Sequence, residues 1–517
     1  MAVKKATTAT PMSLFMPNVN VLCDDIEQEQ GEFCNSLTTE PVPTGLLAVD
    51  LLTFSGFCGG AWVTTFGPEQ AGKSTFGNEL SATHVAEALE SIYLAEELKE
   101  EYPFIPSNLI CDAEGSYDFD RTGLFMNTVG KHTYRPDYDT IFGVRSKKGG
   151  WEKEPLIRWH KIPSMEFIFD YMHSLAKLLP DVKTWDGQTY YVYERTKDNV
   201  SAYGKYANKE LSKKKLWLPL PRGVTVPMQA LFNIDSYSAL LPRSMDEDEA
   251  NKQLALMARE FAKHIPRIRG FMRGKRIIIA GVNQFRDKPG VPPSQYEPNG
   301  GALRFASDLR LRANKVSPST VGDGHTDKKG SYELVEEDSV IHNGAKDVYS
   351  FVKLTTAKNK LGGLDKLSVT LRLWRASGNT TGMGFCPAYD AYKALQMVGR
   401  IQCRSRNQGI KVLAFGLEQA TNTMTWSQFK TLCLYPNMVP IEAAEAVLDA
   451  IGLPNMEAFD LRLAIRERIM NRSSGWLSDF KANITGFKTD ESTEVEDSDK
   501  DAVYTEKAMG MDAEDED

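Results

Sequence analysis

The stretch Gly67-Pro68-Glu69-Gln70-Ala71-Gly72-Lys73-Ser74-Thr75 constrains this chain more than any other segment. It fits the pattern G-x-x-x-x-G-K-[ST], follows the apolar run Trp62-Val63-Thr64-Thr65-Phe66, and opens a stretch whose pattern predicts a helix over Lys73–Glu100. In a strand–loop–helix setting the two glycines let backbone N–H groups turn inward around phosphates, and the helix N-terminus adds a favourable dipole. Lys73 would reach the β- and γ-phosphates of ATP, and the Ser74 hydroxyl would ligate Mg²⁺. Residues Gly67, Pro68, Glu69, Gln70, Ala71, Gly72, Lys73, Ser74 and Thr75 are thus the candidate nucleotide-binding set.

The chain around this loop alternates short β-rich runs with amphipathic stretches from about residue 42 to 375, the pattern of an α/β sheet. Strands are expected at Ala61–Phe66, Asn108–Asp112, Leu156–Ile162, Met228–Asp235, Arg276–Val282, Asp308–Ala313, Ser350–Thr356 and Leu367–Trp374. Further helices are expected at Ser164–Leu179 and Glu249–Ile268; in the first, Ile168, Met172 and Leu175 fall on one face. Two of the strands end in carboxylates. Asp235, closing Leu231-Phe232-Asn233-Ile234-Asp235, is placed to hold Mg²⁺ through water. Glu114, just past Leu109-Ile110-Cys111-Asp112, can orient an attacking water if it stands at the carboxyl edge of the sheet, or is a solvated loop residue.

No apolar run is long enough to span a bilayer, and seven scattered cysteines without a C-x-x-C pair argue for neither a disulfide framework nor a zinc site. A cytoplasmic, nucleoid-associated protein with no membrane partner is the expectation. The net charge of −8 conceals an asymmetry: from Asp490 to Asp517 there are thirteen Asp/Glu against two Lys, so the remainder is weakly basic. Such an acidic, aromatic-poor tail has little apolar surface to bury and is expected to be disordered. Either it solubilises the protein or it competes with nucleic acid for basic surface on the body.

Taken together, these segments resemble the bacterial RecA family of recombinases, including its phage relatives. Val42-Pro43-Thr44-Gly45-Leu46-Leu47-Ala48-Val49-Asp50 is similar to that family's lead-in to the phosphate loop, Asp112-Ala113-Glu114 to its water-orienting segment, and Ile234-Asp235-Ser236-Tyr237-Ser238-Ala239-Leu240 to its metal-side strand. The resemblance makes Glu114 the base that orients water and puts Asp118 beside the nucleotide. Val282-Asn283-Gln284 resembles the strand whose glutamine senses the γ-phosphate. Gly300-Gly301-Ala302-Leu303-Arg304-Phe305 is similar to the family's G-G-x-A-L-K-F stretch, one residue shorter. Ala357-Lys358-Asn359-Lys360 resembles a segment that reaches the neighbouring subunit's ATP, so Lys358 and Lys360 would stabilise phosphate charge in trans. The Pro- and Gly-rich region between Phe285 and Asn299, flanked by Arg286, Lys288 and Arg304, would be a DNA-binding loop.

Two segments depart from the family. Residues 181–227 form an insert with Tyr190, Tyr191, Tyr193, Tyr203, Tyr206 and Trp217 and nine Lys/Arg against five Asp/Glu. Interleaved rings and cations suit single-strand binding, and equally a surface β-hairpin covering the core. The region Pro242–Asn251, where the family has its first DNA loop, is short and acidic (Asp246, Glu247, Asp248, Glu249).

The expected architecture is an α/β, RecA-like P-loop ATPase core with a mainly parallel twisted sheet over 42–375. It is preceded by an N-terminal arm over 1–41 and followed by a helical C-terminal domain over 376–488 and the tail over 489–517. The expected function is that of an ATP-dependent strand-exchange recombinase. It would form a helical homo-oligomeric filament on single-stranded DNA, act on duplex DNA, and work with an ssDNA-binding protein or loader. The alternatives are a ring helicase of the DnaB type, for which the segment before residue 45 is short, and a filament protein that uses nucleotide only as a switch.

Overall fold

The structure is a computed structural model. The residues described run from 41 to 484, apart from a few isolated positions within the stretches left out: 98–106, 116–141, 154, 162–163, 222–225, 227, 243–249, 288–294, 297–299, 317–332, 336–346, 377–383, 404–409, 414–419 and 425–460. The arm expected over 1–41 (save its last residue), Asp118, Lys288 and the acidic tail lie outside the described residues.

In chain order, α1 (Leu47–Leu52) precedes β1 (Trp62–Gly67), α2 (Lys73–Glu97), β2 (Ser107–Asp112), the short strands β3 (Val144–Arg145) and β4 (Trp151–Lys153), β5 (Ile157–His160) and α3 (Met165–Leu178). Next come β6 (Asp181–Trp185), β7 (Gln188–Glu194), α4 (Lys197–Tyr203) and β8 (Lys215–Pro219), then β9 (Ala230–Asp235), α5 (Ala250–Met272) and β10 (Ile277–Gln284). β11 (Arg286–Asp287), β12 (Gln295–Tyr296) and α6 (Gly300–Ala306) lead into β13 (Leu309–Val316), β14 (Glu333–Val335), β15 (Asp347–Asn359), β16 (Ser368–Ala376) and β17 (Gly384–Phe385). The C-terminal stretch holds α7 (Pro387–Met397), β18 (Ile401–Cys403), β19 (Ile410–Leu413), β20 (Ala420–Met424), α8 (Leu461–Met470) and α9 (Trp476–Ile484).

The central sheet has the order β17-β16-β15-β13-β1-β10-β9-β2-β5, with β14 added on β15. From β13 to β5 every pairing is parallel, and from β13 to β17 every pairing is antiparallel. The fold is therefore mixed α/β with a large, mainly parallel sheet. Strands buried on both faces read as continuous apolar runs, which is why β9 and β10 were visible in the sequence: every residue of β9, and all of β10 but Gln284, is buried.

Two apolar layers cover the sheet. On one face α1, the start of α2, α7, α8 and α9 pack over Val63, Leu309, Leu311, Val352 and Leu371; on the other, α3, α5 and α6 pack over Leu109, Phe232, Ile234 and Ile279. The helices of 387–484 thus share a core with the sheet, and the same stretch adds a three-stranded antiparallel sheet, β18-β19-β20, to the helices the sequence led one to expect. α1 has no side-chain cap of its own; instead Asp390 of α7 accepts hydrogen bonds from the N–H groups of Leu47 (2.7 Å) and Ala48 (3.0 Å). Burial holds three carboxyls of this face protonated well above their ordinary range: Asp50 at about 7, Glu79 at about 8 and Asp390 at about 6. Among the described residues no helix is long and apolar enough to cross a membrane.

The 181–227 insert forms a three-stranded antiparallel sheet, β6-β7-β8, with α4 laid against one face. Val182, Tyr191, Tyr193, Leu216, Leu218, Leu220 and Val226 make a separate apolar core, against which Tyr203 and Ala207 pack. Tyr193 stacks on Tyr203 at 4.6 Å between ring centroids. The insert is anchored where β9 and β10 begin. Val182 N–H donates to the Gly274 carbonyl (2.8 Å), and the Gln229 amide to the carbonyls of Pro180 (2.7 Å) and Lys275 (2.8 Å).

Candidate nucleotide site at the carboxyl edge of the sheet

Parallel strands all end on one edge, so the residues just past β1, β2, β9 and β10 collect there. β1 ends on Gly67, whose φ is +147° and where a Cβ would lie 2.1 Å from the Ala313 carbonyl oxygen, so no larger residue fits that backbone. The loop then passes through Gln70 and Gly72, both at positive φ (58° and 78°), and α2 begins at Lys73. The Lys73 side chain is buried and its Nζ donates to the Pro68 carbonyl at 2.5 Å, holding the loop closed over an inward-facing ammonium. Burial pushes its pKa down, while Asp235, Glu114 and Glu69, the three carboxylates nearest in effect, act to hold the proton on.

Asp235 ends β9 beside this lysine. It is 6% exposed, accepts a hydrogen bond from the Ser74 side chain, and its Oδ1 has no hydrogen-bond partner. Burial raises its pKa to about 6; Glu114 and Asp112 add to the rise, and the Ser74 hydrogen bond and Lys73 oppose it. A buried carboxylate oxygen without a partner, next to a serine hydroxyl, is a donor set that suits a hard cation such as Mg²⁺. The residues present fit the ion that the sequence implied.

Glu114 is reached from two neighbouring strands. Its backbone N–H and that of Ala113 donate to the Asp235 carbonyl (3.3 and 2.7 Å), which seats the turn after β2 against the end of β9. Its Oε1 accepts from Ser236 Oγ at 2.5 Å and from Gln284 Nε2 at 2.7 Å. Gln284 ends β10 in register with Gly67, so the residue whose side chain donates to the Glu114 carboxylate stands beside the first glycine of the loop. The sequence reasoning did not single out Ser236. Its signal was there: a hydroxyl directly after a strand-ending aspartate, one residue from the sheet edge. Ser236 also shares a 2.7 Å hydrogen bond with Ser238.

Directly after Gln284, Phe285 packs edge-on against Phe66 of β1 (5.8 Å), and Arg286 pairs with Tyr296 in the ladder β11-β12. The candidate DNA loop is therefore a hairpin rooted beside the phosphate loop, while its central residues, with Lys288, lie outside the described residues.

Lys358 and Lys360 are not brought to this site. Lys358 pairs in register with Arg310, and Lys360 N–H donates to the Asp308 carbonyl (2.7 Å), where β13 begins; Asp308 N–H in turn donates to the Trp62 carbonyl (2.7 Å) at the start of β1. The length of β1, roughly 17 Å, separates them from their own phosphate loop. Lys358 Nζ donates to the carbonyls of Arg304 (2.6 Å) and Phe305 (3.1 Å) at the end of α6, and burial together with the nearby Lys360 and Arg310 lowers its pKa to about 8. The neighbouring Phe305 side chain is 79% exposed.

No protein-family model matches the chain. Curated proteins do match it in part. The similarity is to RecA proteins. The chain is 37% identical over 90 residues to the RecA protein of Mycoplasma genitalium, which is 17% of this chain and 26% of that protein. It is 28% identical over 172 residues to the RecA protein of Borrelia turicatae, 33% of this chain and 42% of that one. With the RecA protein of Clostridium perfringens the identity is 27% over 106 residues, 20% and 30% of the two chains. The chain thus spans between about a quarter and two fifths of the length of these RecA proteins. Partial RecA similarity, a RecA-like α/β sheet and an intact phosphate loop together support a P-loop nucleotide-binding protein of RecA-like type.

Proposed function

We propose that this chain is a DNA-dependent ATPase that polymerises on single-stranded DNA as a strand-exchange recombinase. The observation that carries the reading is the division of the phosphate-binding machinery between opposite edges of one sheet. Lys73, Ser74, Asp235, Glu114 and Gln284 stand at the carboxyl edge, while Lys358 and Lys360 stand at the amino edge with the exposed ring of Phe305. A protomer so divided completes its site only when the amino edge of one copy meets the carboxyl edge of the next. Head-to-tail contacts of this kind are heterologous, and unless their rotation closes they generate helical filaments.

Within the site, Lys73 and the loop N–H groups bind the ATP phosphates. Ser74 and Asp235 would hold Mg²⁺, which when bound would neutralise charge between the phosphates. Glu114, held by Ser236 and Gln284, orients the attacking water. Because Gln284 lies between that carboxylate and the root of the 285–299 hairpin, a change at the γ-phosphate is passed to the hairpin through one hydrogen bond. ATP thereby stiffens the DNA-binding form, and hydrolysis releases it.

Mixing two inactive variants tests the shared site. Lys73→Ala lacks the loop cation, and Lys358→Ala/Lys360→Ala lacks the donated pair; each alone should be inactive. Mixed in equal amounts they should recover about a quarter of wild-type ATP hydrolysis, the share of interfaces that bring the two intact halves together. No recovery in co-assembled mixtures would contradict a site shared between copies.

A further inference from the structure

The outermost strand of the parallel sheet, β5, carries a basic and aromatic surface to which the nucleotide site gives no role. Between Val144 and Lys161 there are six Lys/Arg against two Asp/Glu. β3 and β4 pair Arg145 with Trp151, and the guanidinium of Arg145 lies 3.7 Å from the Trp151 ring centroid, with Arg158 of β5 at 5.9 Å. His160 is close enough to both guanidiniums that they, after burial, hold its proton affinity down. Arg145, Arg158 and His160 therefore stand together beside the Trp151 ring.

Rings border these groups. His160 packs against Tyr171 of α3 at 5.9 Å, and Tyr171 stacks on Phe167 at 6.5 Å, with Phe167 45% exposed. Ser164, the N-cap of α3, forms a β-bridge with the half-exposed Leu241, so this surface adjoins the point where the acidic segment 243–249 begins. The turn of the small hairpin, Ser146-Lys147-Lys148-Gly149-Gly150, is exposed throughout its last four residues.

We infer that Arg145, Arg158, His160 and the lysines of the 147–148 turn contact the phosphate backbone of a single DNA strand, with Phe167 offering a stacking face to a base. The inference rests on the recombinase reading and adds a site to it. The cations are strung over a hairpin and a strand, on the order of 15 Å, which one small anion cannot neutralise and a phosphodiester chain can. The exposed ring selects a single strand, because bases in a duplex stack on one another and offer no free face.

The test is binding of a labelled oligothymidylate of about 30 nucleotides, and of a duplex of equal length, across a salt titration with a non-hydrolysable ATP analogue. Two variants are compared with wild type: Lys147→Glu/Lys148→Glu, in an open turn that cannot disturb packing, and Arg145→Gln/Arg158→Gln. Each should weaken single-strand binding by about tenfold or more and lower the salt slope by about 1 to 2. DNA-free ATP hydrolysis and the unfolding midpoint of the turn variant should stay at wild-type values. If wild type binds the oligonucleotide and both variants match it in affinity and slope, the inferred contact is wrong while the recombinase reading stands. If wild type binds no DNA, that reading fails and the contact falls with it. Equal loss on duplex would overturn the single-strand assignment, and displacement by millimolar inorganic phosphate alone would mark a small-anion pocket instead.

Discussion

Two basic, ring-bearing regions of this molecule use their rings differently. The 181–227 insert and the ribbon from Val144 to Lys161 both interleave aromatic rings with lysine and arginine. In the insert Tyr191 and Tyr193 turn inward and, with Leu216 and Leu218, build a core under α4, while Tyr190 packs edge-on against Trp217 and Trp185 and Tyr206 stay exposed. In the ribbon they border cations at the edge of the main sheet, where Trp159 is 39% exposed and Phe167, on the adjoining helix α3, 45%. The insert also sits where β9 and β10 begin, at the edge of the sheet remote from Glu114 and Lys73. The lesson is that rings among basic residues need not announce a nucleic-acid surface: where no other layer supplies a local core, some of them build one.

The contrast breaks most visibly through chemistry. Glu114→Gln should lower ATP hydrolysis by about 10²- to 10⁴-fold with nucleotide binding retained, because the hydrogen bonds from Ser236 and Gln284 would hold a neutral side chain in the same place. Replacing Asp181–Leu220 by a short Gly/Ser link should leave basal hydrolysis within about twofold of wild type, a remote module having no part in the site. Steady-state rates on the two proteins check both halves, and a large loss on removal of the insert would break the comparison.

Next in size is the insert's own core. Tyr191→Ala should destabilise that module by about 3–5 kcal/mol, the range for truncating a fully buried aromatic. Amide exchange should rise across β6, β7 and β8 and stay unchanged in β9 and β10.

A third expectation separates the body from the insert by pH. Burial raises Glu79 from an ordinary 4.5 to about 8, so its folded form keeps a proton that the unfolded chain releases. That stabilisation is complete below pH 4.5 and is lost as the pH rises toward 8, so body stability falls with rising pH in this window. Glu79→Gln should flatten the slope by up to about 1.4 kcal/mol per pH unit, measured by denaturant unfolding at several pH values. Glu194, Asp186 and Asp198 of the insert are exposed, so its removal should leave the slope in place. The smallest effect belongs to Trp185, half exposed where β6 ends: Trp185→Ala should change stability by no more than about 0.5 kcal/mol.

Much of the body was legible because parallel strands covered on both sides are written as apolar runs closed by a polar residue. That pattern located β1, β2, β9 and β10 and put Lys73, Glu114, Asp235 and Gln284 at one edge. β15 proved longer than the stretch Ser350–Thr356, running from Asp347 to Asn359, since its C-terminal end is held by pairing with β13 and its N-terminal end by pairing with β14 and β16. A β-hairpin was one of the two readings of the insert, and β6-β7 forms one; its third strand and separate core were not legible, although Val182, Tyr191, Tyr193, Leu216 and Leu218 alternate at the strand period. What was missing was the partner face, which α4 provides. The hydrogen bonds that seat Glu114 were equally invisible, since Ser236 and Gln284 come from strands far apart in sequence. The cap that Asp390 gives α1 spans 343 residues and carries no local signal.

The measurement that tests the central claim most directly is ATP hydrolysis with and without single-stranded DNA, with electron microscopy of the same samples and Lys73→Ala as control. Strong stimulation by single-stranded DNA together with helical filaments, both lost in Lys73→Ala, is the predicted result. Turnover that ignores DNA, or activity carried by closed rings, would contradict it.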